Sequence, residues 1–279
     1  MVTLAELFRE SVEALSKCDT DSPRFEAECI FQKLLDADKL ALLTDPDREI
    51  SDSSAEQLRA LISRRISGEP LQYLLGEWEF YGFPFYVGEG VLIPRQDTET
   101  LVELAEGYLD SGMLCADLCA GSGCIGISLA RLRGCRFLSY ELSEKAFPYL
   151  ERNIAANGVQ GLVKPVFGDV LSEKTVEDAP ILDAILTNPP YLTAKDMTEL
   201  QPEVQKEPEM ALFGGEDGLD YYRVLLKIWS PRLKSGGLFA AEIGYGQEND
   251  VIRIFEENGI SAKAIKDGCG VYRVVYGIK

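Results

Sequence analysis

Four consecutive residues, Asn188-Pro189-Pro190-Tyr191, carry groups that suit a planar ligand with an NH₂. They follow an apolar run, residues 181–186, that has the character of a buried strand. Each proline lacks an N–H and fixes its own φ at about −65°, and each restricts the preceding residue to extended conformations. The stretch therefore predicts a stiff backbone with bare carbonyls, one carboxamide and one aromatic ring. For an isolated Asn-Pro, the alternative is a strand that simply ends at a proline turn.

A second candidate site is a small-residue loop, residues 117–126, that leaves an apolar strand and opens a helix. Within it, Gly121-Ser122-Gly123-Cys124-Ile125-Gly126 matches G-x-G-x-x-G, a pattern that brings the backbone close to a ligand at a helix N-terminus. Glu141 ends the next predicted strand, where an acid can bind a ribose. An NAD enzyme, an S-adenosylmethionine enzyme and a purely structural tight turn all fit this pattern.

Two features favour S-adenosylmethionine over NAD. Asp117 stands directly before the glycine turn and can bind a ligand's amino group as well as the loop. Asn188 ends the fourth predicted strand, and ligands of such sheets bind outside the carboxyl ends of the strands. Asp169 and Val170 follow the third strand and could contact an adenine through an acceptor and an apolar face, although Gly-Asp alone is an ordinary turn.

The elements that must position these residues alternate from about residue 94 onward, which predicts a parallel sheet covered by helices on both faces. Pro148 should kink or shorten the helix that begins near Ser143. The last two strands, residues 261–266 and 271–278, are close enough to pair antiparallel. Further strands are predicted at 113–118, 135–141, 163–167, 181–187 and 238–243, and helices at 98–110, 123–133 and 143–157.

Residues 1–70 predict a small all-α domain whose apolar stripes form a core. Thr3-Leu4-Ala5-Glu6 has the sequence of a capping box. A second helix is expected from Ser22, with Pro23 in its first turn, to a break at Asp45-Pro46-Asp47. A third is expected to be capped by Ser53.

Residues 71–93 concentrate aromatic side chains around Gly82 and Pro84. Aromatic residues on both sides of a Gly/Pro turn predict a β-hairpin, here a connector between the helical domain and a domain at 94–279. Exposed aromatic rings marking a partner surface are the alternative.

Composition narrows the classes of function. The net charge of −18 argues against broad electrostatic binding to nucleic acid, in which Lys and Arg supply most of the affinity. The chain has no His, and its seven Cys form no C-x-x-C pair, so we expect no metal site, no disulfide framework and no His-based catalysis. We also expect no signal peptide and no membrane span, hence a cytosolic protein.

The chain resembles a known family, the peptide chain release factor N5-glutamine methyltransferases, over nearly its whole length. Asn-Pro-Pro-Tyr alone is shared with methyltransferases acting on amino groups of DNA, RNA and protein, whereas the combination of stretches is specific. The matching stretches are Gly68-Glu69-Pro70-Leu71-Gln72-Tyr73, Val91-Leu92-Ile93-Pro94-Arg95, the glycine loop, Asn188-Pro189-Pro190-Tyr191, Ala211-Leu212-Phe213-Gly214-Gly215-Glu216-Asp217-Gly218-Leu219 and Glu242-Ile243-Gly244.

The resemblance implies a Rossmann-like, seven-stranded class I methyltransferase sheet, mostly parallel with an antiparallel last strand, behind a release-factor-binding helical domain. It implies S-adenosylmethionine as the cofactor, S-adenosylhomocysteine as its product, and the glutamine of the Gly-Gly-Gln motif in class 1 release factors as the substrate. It assigns substrate binding to Asn188, Pro189, Pro190 and Tyr191, and cofactor binding to Cys119, Ala120, Gly121, Ser122, Gly123, Glu141, Asp169, Val170 and Asn188.

The chain departs from the family pattern at three places. The loop begins with Cys119 where the family usually has Gly, and we expect its Cβ to be accommodated at a negative φ. Gln96-Asp97 replaces the usual Pro-Glu, and Gly268-Cys269-Gly270-Val271 replaces the usual Gly-Arg-Asp-Arg. None of these changes removes a group needed for methyl transfer.

The mechanism we expect needs no strong base, which agrees with a chain without His. The Asn188 side-chain carbonyl and the Pro189 backbone carbonyl each accept one N–H of the substrate amide, and Tyr191 packs on the glutamine. Both acceptors then aim the nitrogen at the methyl group, and orientation supplies most of the rate. The alternatives are an adenine or cytosine amino methyltransferase, a cofactor-binding scaffold without turnover and, last, an NAD dehydrogenase.

Overall fold

The computed structural model describes residues 2–17, 20 and 22–279 and divides into two compact units. The first unit comprises the chain up to Glu77 together with Gln201–Lys206. The second unit comprises Trp78–Leu200 and Glu207–Lys279. Cys18, Asp19 and Asp21 lie outside the described residues, as does Met1.

The first unit is mainly helical, as predicted. The capping box is confirmed, because the Thr3 hydroxyl accepts from the Glu6 N–H at 3.2 Å and the Glu6 carboxylate accepts from the Thr3 N–H at 3.0 Å. A two-residue strand pair that the sequence did not predict accompanies the helices. Its elements are β1 (Val2–Thr3), α1 (Leu4–Leu15), α2 (Pro23–Leu35), α3 (Lys39–Thr44), β2 (Glu49–Ile50), α4 (Asp52–Ile66) and α5 (Leu71–Leu75).

Two predicted helix boundaries in this unit are wrong. The second helix ends at Leu35 rather than at Asp45, because Asp36 takes a left-handed conformation with φ 48° and Asp38 then caps a separate helix, α3. The cap of α4 is Ser51, not Ser53, and the Ser51 hydroxyl accepts from the Ser54 N–H at 3.1 Å.

The segment Gln201–Lys206 is attached to this unit by a buried guanidinium. Arg65, 3% exposed, donates two hydrogen bonds to Glu26 at 2.8 and 2.9 Å and a third to Glu203 at 2.5 Å. Arg65 has few contacts with water, so its charge depends on both carboxylates.

The predicted aromatic hairpin is confirmed as β3 (Glu77–Phe80) paired with β4 (Phe83–Tyr86). Its two turn residues, Tyr81 and Gly82, have φ 52° and 75°, the positive values of the tight turn that best matches the twist of paired strands. Residues 71–75 form α5 instead of belonging to the hairpin.

The second unit contains the predicted seven-stranded sheet, with the order β10-β11-β9-β8-β5-β6-β7. The last strand, β11, is antiparallel to both of its neighbours, and the remaining pairs are parallel. The strands are β5 (Leu114–Leu118), β6 (Arg136–Glu141), β7 (Val163–Phe167), β8 (Leu182–Thr187), β9 (Leu233–Glu242), β10 (Ser261–Lys266) and β11 (Tyr272–Ile278).

Helices pack on both faces of this sheet over two apolar clusters. The helix that contains Pro148 begins at Phe147 instead of Ser143, which confirms the predicted shortened start. The helices are α6 (Gln96–Glu106), α7 (Cys124–Arg133), α8 (Phe147–Ala156), α9 (Glu173–Glu177), α10 (Asp220–Trp229) and α11 (Glu248–Glu257).

The topology brings the functional loops together. Strand β5 lies between β6 and β8, so the chain order reverses at β5 and a crevice opens beyond the carboxyl ends of these strands. The loops after β5, β6, β7 and β8 all leave at that edge. Within the described residues, none of the helices has the length and hydrophobicity to cross a lipid bilayer.

Candidate active site

A cavity of about 860 Å³, including its open mouth, lies at this carboxyl edge within the second unit. Its lining includes residues of the loops after four strands together with Gly90, residues 92–95, Pro208, Met210 and Ala211. The sequence-predicted residues among its lining are Cys119, Ala120, Gly121, Ser122, Glu141, Asp169, Val170, Asn188 and Pro190. Gly123, Pro189 and Tyr191 adjoin these residues in the chain but are not among the lining residues.

The glycine loop leaves β5 through a left-handed residue. Cys119 has φ 61°, so the expectation of a negative φ is wrong. The next N–H, that of Ala120, donates to the Tyr140 carbonyl at 2.9 Å, and this bond holds the turn against the neighbouring strand. Gly121 and Gly123 are also left-handed, with φ 55° and 83°. A non-glycine residue in this conformation costs about 1–2 kcal/mol, which explains a glycine preference at position 119.

Glu141 holds the loop as well as lining the cavity. One carboxylate oxygen accepts from the Gly121 N–H at 2.7 Å, and the other accepts from the Ser143 N–H at 2.7 Å. The side chain is 8% exposed, and burial raises the pKa of its carboxyl, while the backbone N–H groups of Ser143, Gly121 and Leu142 act in the opposite direction. A carboxylate has about four acceptor sites, so acceptor capacity remains for a ligand's hydroxyl.

Asp117 is placed differently from the prediction. It is fully buried, and one of its oxygens accepts from the Gly126 N–H of α7 at 3.0 Å. It is not among the cavity-lining residues, so it braces the helix that carries the loop and does not meet a ligand's amino group. Burial raises the pKa of Asp117 to about 7, with a smaller contribution from the charge of Glu141.

Asp169 and Val170 follow β7 and lie together on the cavity wall. One Asp169 oxygen accepts from the Leu171 N–H at 2.8 Å, which closes a tight turn. The Val170 carbonyl accepts from the Trp229 indole at 2.8 Å, so the backbone of Val170 is fixed in place. The structure therefore brings this polar and this apolar group together beside the glycine loop.

The Asn-Pro-Pro-Tyr stretch begins where β8 ends. The Thr187 hydroxyl donates to the Leu118 carbonyl at 2.8 Å and ties this end of β8 to β5. The next residue, Asn188, donates from Nδ2 to the hydroxyl of Thr98 on α6 at 3.1 Å. Among the described residues nothing donates to Asn188 Oδ1, so this oxygen is the end of the amide available to a ligand.

Tyr191 lies behind this wall. Its hydroxyl donates to Glu242 at 3.3 Å, and its ring packs against the apolar cluster on that face of the sheet. Glu242 is 1% exposed; burial raises its pKa to about 7, while the Thr98 hydroxyl and Arg273 act in the opposite direction. Tyr191 thus donates its hydroxyl proton to a carboxyl that is itself buried.

Three glycines outside the loop, all in stretches that match the family, lie close to the Asn-Pro-Pro-Tyr segment. A Cβ at Gly214 would lie 2.6 Å from the Pro190 carbonyl oxygen, and one at Gly218 would lie 2.3 Å from the Tyr191 carbonyl oxygen. A Cβ at Gly244 would lie 3.0 Å from the Tyr191 ring. A Cβ at Gly214 or Gly218 would clash with backbone atoms, so these two glycines shape the backbone of Asn-Pro-Pro-Tyr, whereas Gly244 leaves room for the Tyr191 ring.

A second buried carboxylate, Glu207, ties together two parts of the cavity wall. It pairs with the Arg95 guanidinium and accepts from the Ile93 N–H at 3.0 Å. It is 6% exposed. Glu207 therefore connects residues 90–95 to the segment that contributes Pro208 and Met210 to the cavity.

Sequence reasoning did not identify Thr98, Glu242, Glu207 or Arg273 as part of this arrangement. Arg273, on β11, pairs with Asp97 at 2.9 Å and Asp267 at 3.1 Å, which gives the altered last hairpin a structural role beside α6. For Glu242 the available signal was that a charged residue stands in Glu242-Ile243-Gly244, a stretch that matches the family. Thr98 and Glu207 carried no such signal beyond their chain positions.

The cavity suits a cationic ligand with a nucleoside. Glu141 and Asp169 line it, and Arg95, the one cation among the described residues of its lining, is paired with Glu207. Leu142, Val170 and other apolar side chains provide surfaces for a planar ring. In the described part of the chain, no cluster of Cys, Asp or Glu is arranged to hold a metal ion.

Comparison with known proteins agrees with this geometry. The family model described as "PrmC N-terminal domain" matches residues 6–76, and that described as "Methyltransferase small domain" matches residues 97–212. A methyltransferase from Pyrococcus furiosus has a similar structure, with a TM-score of 0.56, 19% identity and coverage of 81% of this chain and 98% of that chain.

A 16S rRNA N2 G1207 methyltransferase from Thermus thermophilus, solved in complex with AdoMet and guanosine, is similar with a TM-score of 0.50 and 19% identity; the match covers 73% of this chain and 49% of that chain. Both likenesses support the class I methyltransferase fold. Among sequence relatives, the release factor glutamine methyltransferase of Clostridium botulinum is 36% identical over 277 residues, which is 98% of each chain. At this identity over nearly its whole length, the chain belongs to the release factor glutamine methyltransferase family.

Proposed function

We propose that this protein transfers a methyl group from S-adenosylmethionine to the side-chain amide nitrogen, N5, of the glutamine in the Gly-Gly-Gln motif of class 1 release factors. The S–CH₃ bond breaks as the N–CH₃ bond forms, which leaves S-adenosylhomocysteine, and the nitrogen, acidic once it is methylated, releases one proton to water. The observation that carries this proposal is Asn188: its Nδ2 is bound by Thr98, and its Oδ1 is left for a ligand at the carboxyl edge of β8. Translation termination takes place in the cytoplasm, and we place the activity there.

The cofactor supplies a methyl group on a sulfonium, which a nucleophile can displace in line. Glu141 would bind the ribose hydroxyls with the acceptor sites left after its bonds to Gly121 and Ser143. Asp169 and Val170 would contact the adenine, through an acceptor oxygen and an apolar side chain. The loop 119–123 would lie against the methionine part, with the carboxylates favouring its cationic centre.

The substrate amide is a poor nucleophile because its lone pair is delocalised. Asn188 Oδ1 and the Pro189 carbonyl would each accept one of its two N–H groups, so the nitrogen is held in one orientation. The acceptors are preorganised, since Thr98 fixes the Asn188 side chain and Gly214 fixes the backbone at Pro190. Orientation of this kind can contribute up to roughly 7–11 kcal/mol to the lowering of the barrier.

The helical first unit would provide a second contact with the release factor. Its short helix α3 exposes Leu40 and Leu43 by 64% and 74%. Two such leucines, three residues apart on one helix, are apolar groups of the kind that a partner surface covers.

The test is a methylation assay on a purified release factor, read by intact mass. We expect one added methyl group, none on the release factor variant whose motif glutamine is alanine, and a loss of at least roughly a hundredfold in rate for Asn188→Ala. Cofactor binding by Asn188→Ala, measured by calorimetry, should be retained. Asn249→Ala, at an exposed helix position, is the matched control. Near-normal turnover by Asn188→Ala would overturn the assigned role, and methylation of DNA or RNA instead of the release factor would overturn the substrate.

A further inference from the structure

Among the residues that the structure describes, Arg95 is the one cation in the cavity lining, and it lies toward the end where the substrate amide is expected. It occupies the N-cap of α6, and the Thr98 N–H in the first turn of that helix donates to the Arg95 carbonyl at 3.1 Å. The Thr98 hydroxyl in turn accepts from Asn188 at 3.1 Å. One helical turn therefore carries the Arg95 guanidinium and holds Asn188.

This is an unfavourable place for an isolated cation. The N-terminus of a helix has a partial positive charge, which favours anions and repels cations. The Arg95 side chain is 34% exposed, so water screens its charge only in part. A positive charge at this point requires an anion beside it.

The Glu207 carboxylate supplies that anion from a buried position. One of its oxygens pairs with the Arg95 guanidinium, and the other accepts from the Ile93 N–H at 3.0 Å. The Glu207 side chain is 1% exposed. Its two oxygens bind the segment that enters α6, so the compensating charge is held in one place.

The pairing sets the sign of the charge in the cavity. Beside Arg95, the charged residues among the described part of the lining are Glu141 and Asp169. With Arg95 compensated by Glu207, these two carboxylates leave the cavity negative. Loss of the Glu207 charge would leave the guanidinium uncompensated and would offset one of them.

The cofactor and its product differ in charge at one atom. S-adenosylmethionine has a positive sulfur that S-adenosylhomocysteine lacks, while their adenosine, ammonium and carboxylate groups are the same. The methyl group must lie between the glycine loop and Asn188, which brings the sulfur near the turn that carries Arg95. Methyl transfer then moves the positive charge from sulfur to the substrate nitrogen, closer to Asn188. An uncompensated guanidinium would oppose the binding of the sulfonium and this movement of charge.

Resting on the proposed function, we propose that Glu207 is a positioning residue that holds the Arg95 guanidinium in the cavity wall and compensates its charge. The wall then opposes neither the sulfonium of the cofactor nor the charge that develops on the substrate nitrogen. Glu207 is not required to touch either ligand, because it acts through Arg95. The preference of the cavity for the cofactor over its product is thus a property of this ion pair.

The test compares two ligands in Glu207→Gln, which keeps the shape of the side chain and removes its charge. Calorimetry gives the Kd for S-adenosylmethionine and the Kd for S-adenosylhomocysteine. We expect the ratio of the first to the second to rise about fivefold or more relative to the wild type. A merely structural role would weaken both ligands alike, because they share every group except the charged methyl. An unchanged ratio would overturn the proposal.

Glu209→Gln is the matched control. It removes the same charge two residues further along the chain, at an exposed position outside the cavity lining where water and salt screen it. Its ratio of Kd values should equal that of the wild type. An equal rise of the ratio in Glu209→Gln would overturn the proposal, since net charge alone would then explain the effect.

Two further variants test whether Arg95 carries the effect. Arg95→Gln/Glu207→Gln removes the cation together with its partner, and the ratio should return to the wild-type value. Arg95→Gln alone removes the cation, so its ratio should not exceed that of the wild type, and this variant decides the question if Glu207→Gln does not fold. A raised ratio in either variant would contradict the proposal. Circular dichroism identifies any variant that has lost structure.

Turnover supplies the second readout. With both substrates saturating, kcat of Glu207→Gln should fall roughly tenfold, because charge develops toward an uncompensated cation, whereas Glu209→Gln should keep the wild-type kcat. A wild-type kcat in Glu207→Gln would count against the proposal. If the wild type binds both ligands but does not methylate the release factor, the proposed function fails and the Kd ratios still decide the role of Glu207. If methylation is normal and the ratio is unchanged in Glu207→Gln, this inference alone fails.

Discussion

The Gly121 N–H donates to the carboxylate of Glu141 at 2.7 Å, so the acid at the end of β6 also holds the ligand-facing turn after β5. The two residues belong to neighbouring strands of the sheet. One carboxylate therefore shapes the loop and offers its remaining acceptor sites to the cavity. Loss of its charge should disturb both.

The first prediction concerns Glu141→Gln. Glutamine offers one acceptor oxygen where the carboxylate uses two, at Gly121 and Ser143, so one N–H must face an NH₂. Hydrogen bonds to charged groups contribute about 1.5–3 kcal/mol, so we expect the Kd for S-adenosylhomocysteine to rise about tenfold or more. Isothermal titration calorimetry measures it. Glu144→Gln, at an exposed position three residues on, should bind as the wild type does; equal Kd values for the two variants would contradict this role.

The second prediction separates strain from packing at Cys119. Its φ of 61° is unfavourable for any residue with a Cβ, whereas its thiol lies against an apolar cluster. Cys119→Ala removes the thiol contacts and keeps the strain, while Cys119→Gly removes both. We expect the glycine variant to be more stable than the alanine variant by about 1 kcal/mol, in spite of its greater freedom when unfolded. Urea denaturation of both proteins tests this, and an alanine variant that is the more stable would show that position 119 is unstrained.

The limits of sequence reasoning follow from what each pattern encodes. Strands β7 and β10 were predicted to the residue, because short apolar or alternating runs between turn residues are a local signal. The start of β9 at Leu233 was placed five residues too late, since Lys234-Ser235-Gly236-Gly237 carries no apolar pattern. It is nevertheless part of the strand, because Leu233 pairs with Leu182 before it, Leu238 pairs with Ala184 after it, and the Gly236 N–H donates to the Lys279 carbonyl at 2.7 Å.

The residues of the candidate site likewise divide into those that a local sequence pattern predicts and those that depend on the folded structure. The glycine loop, Glu141 and Asn188 follow strands, and the carboxyl edge of a parallel sheet necessarily gathers such residues. The hydrogen bond between Asn188 and Thr98 joins residues that are 90 positions apart, and no sequence periodicity predicts it. The sign of φ at Cys119 depends on how the loop closes on Tyr140, which the type of residue does not reveal.

The third prediction tests the glycine that supports the Asn-Pro-Pro-Tyr backbone. In Gly214→Ala the new Cβ would lie 2.6 Å from the Pro190 carbonyl oxygen and 2.7 Å from the Tyr191 Cα, so the backbone must shift. A small displacement of a substrate-holding group can cost about a hundredfold, and we expect kcat/KM for the release factor to fall by about tenfold to a hundredfold. Cofactor affinity should change little, because the glycine loop is untouched.

Gly161→Ala is the control for this substitution, since an added Cβ there meets no atom within 4 Å and the backbone φ is not in the left-handed region. It should keep wild-type kinetics. Steady-state kinetics with the release factor, together with calorimetry for the cofactor, separate the two effects. A Gly214→Ala enzyme with unchanged kcat/KM would mean that the backbone at Pro190 is not held by this contact.

The last prediction links the buried carboxyl of Asp117 to the pH dependence of stability. Its pKa is raised from 3.8 to about 7 by burial, so between these values the folded state keeps a proton that the unfolded state releases. Stability therefore falls as pH rises from about 4 to about 7, and the loss is complete above the folded-state pKa. A shift of this size corresponds to at most about 4 kcal/mol.

In Asp117→Asn the side chain stays neutral and can still accept from Gly126, so this part of the pH dependence should vanish. Urea unfolding at pH 5 to 8, followed by the fluorescence of Trp78 and Trp229, reports on the second unit, which contains both tryptophans. The stability of Asp117→Asn relative to the wild type should increase from pH 5 to about 7 and level off above that pH, whereas Asp178→Asn, an exposed substitution, should follow the wild type. Parallel curves for Asp117→Asn and the wild type would show that Asp117 is ionised in the folded protein without cost, and that the N–H of Gly126 compensates for its burial.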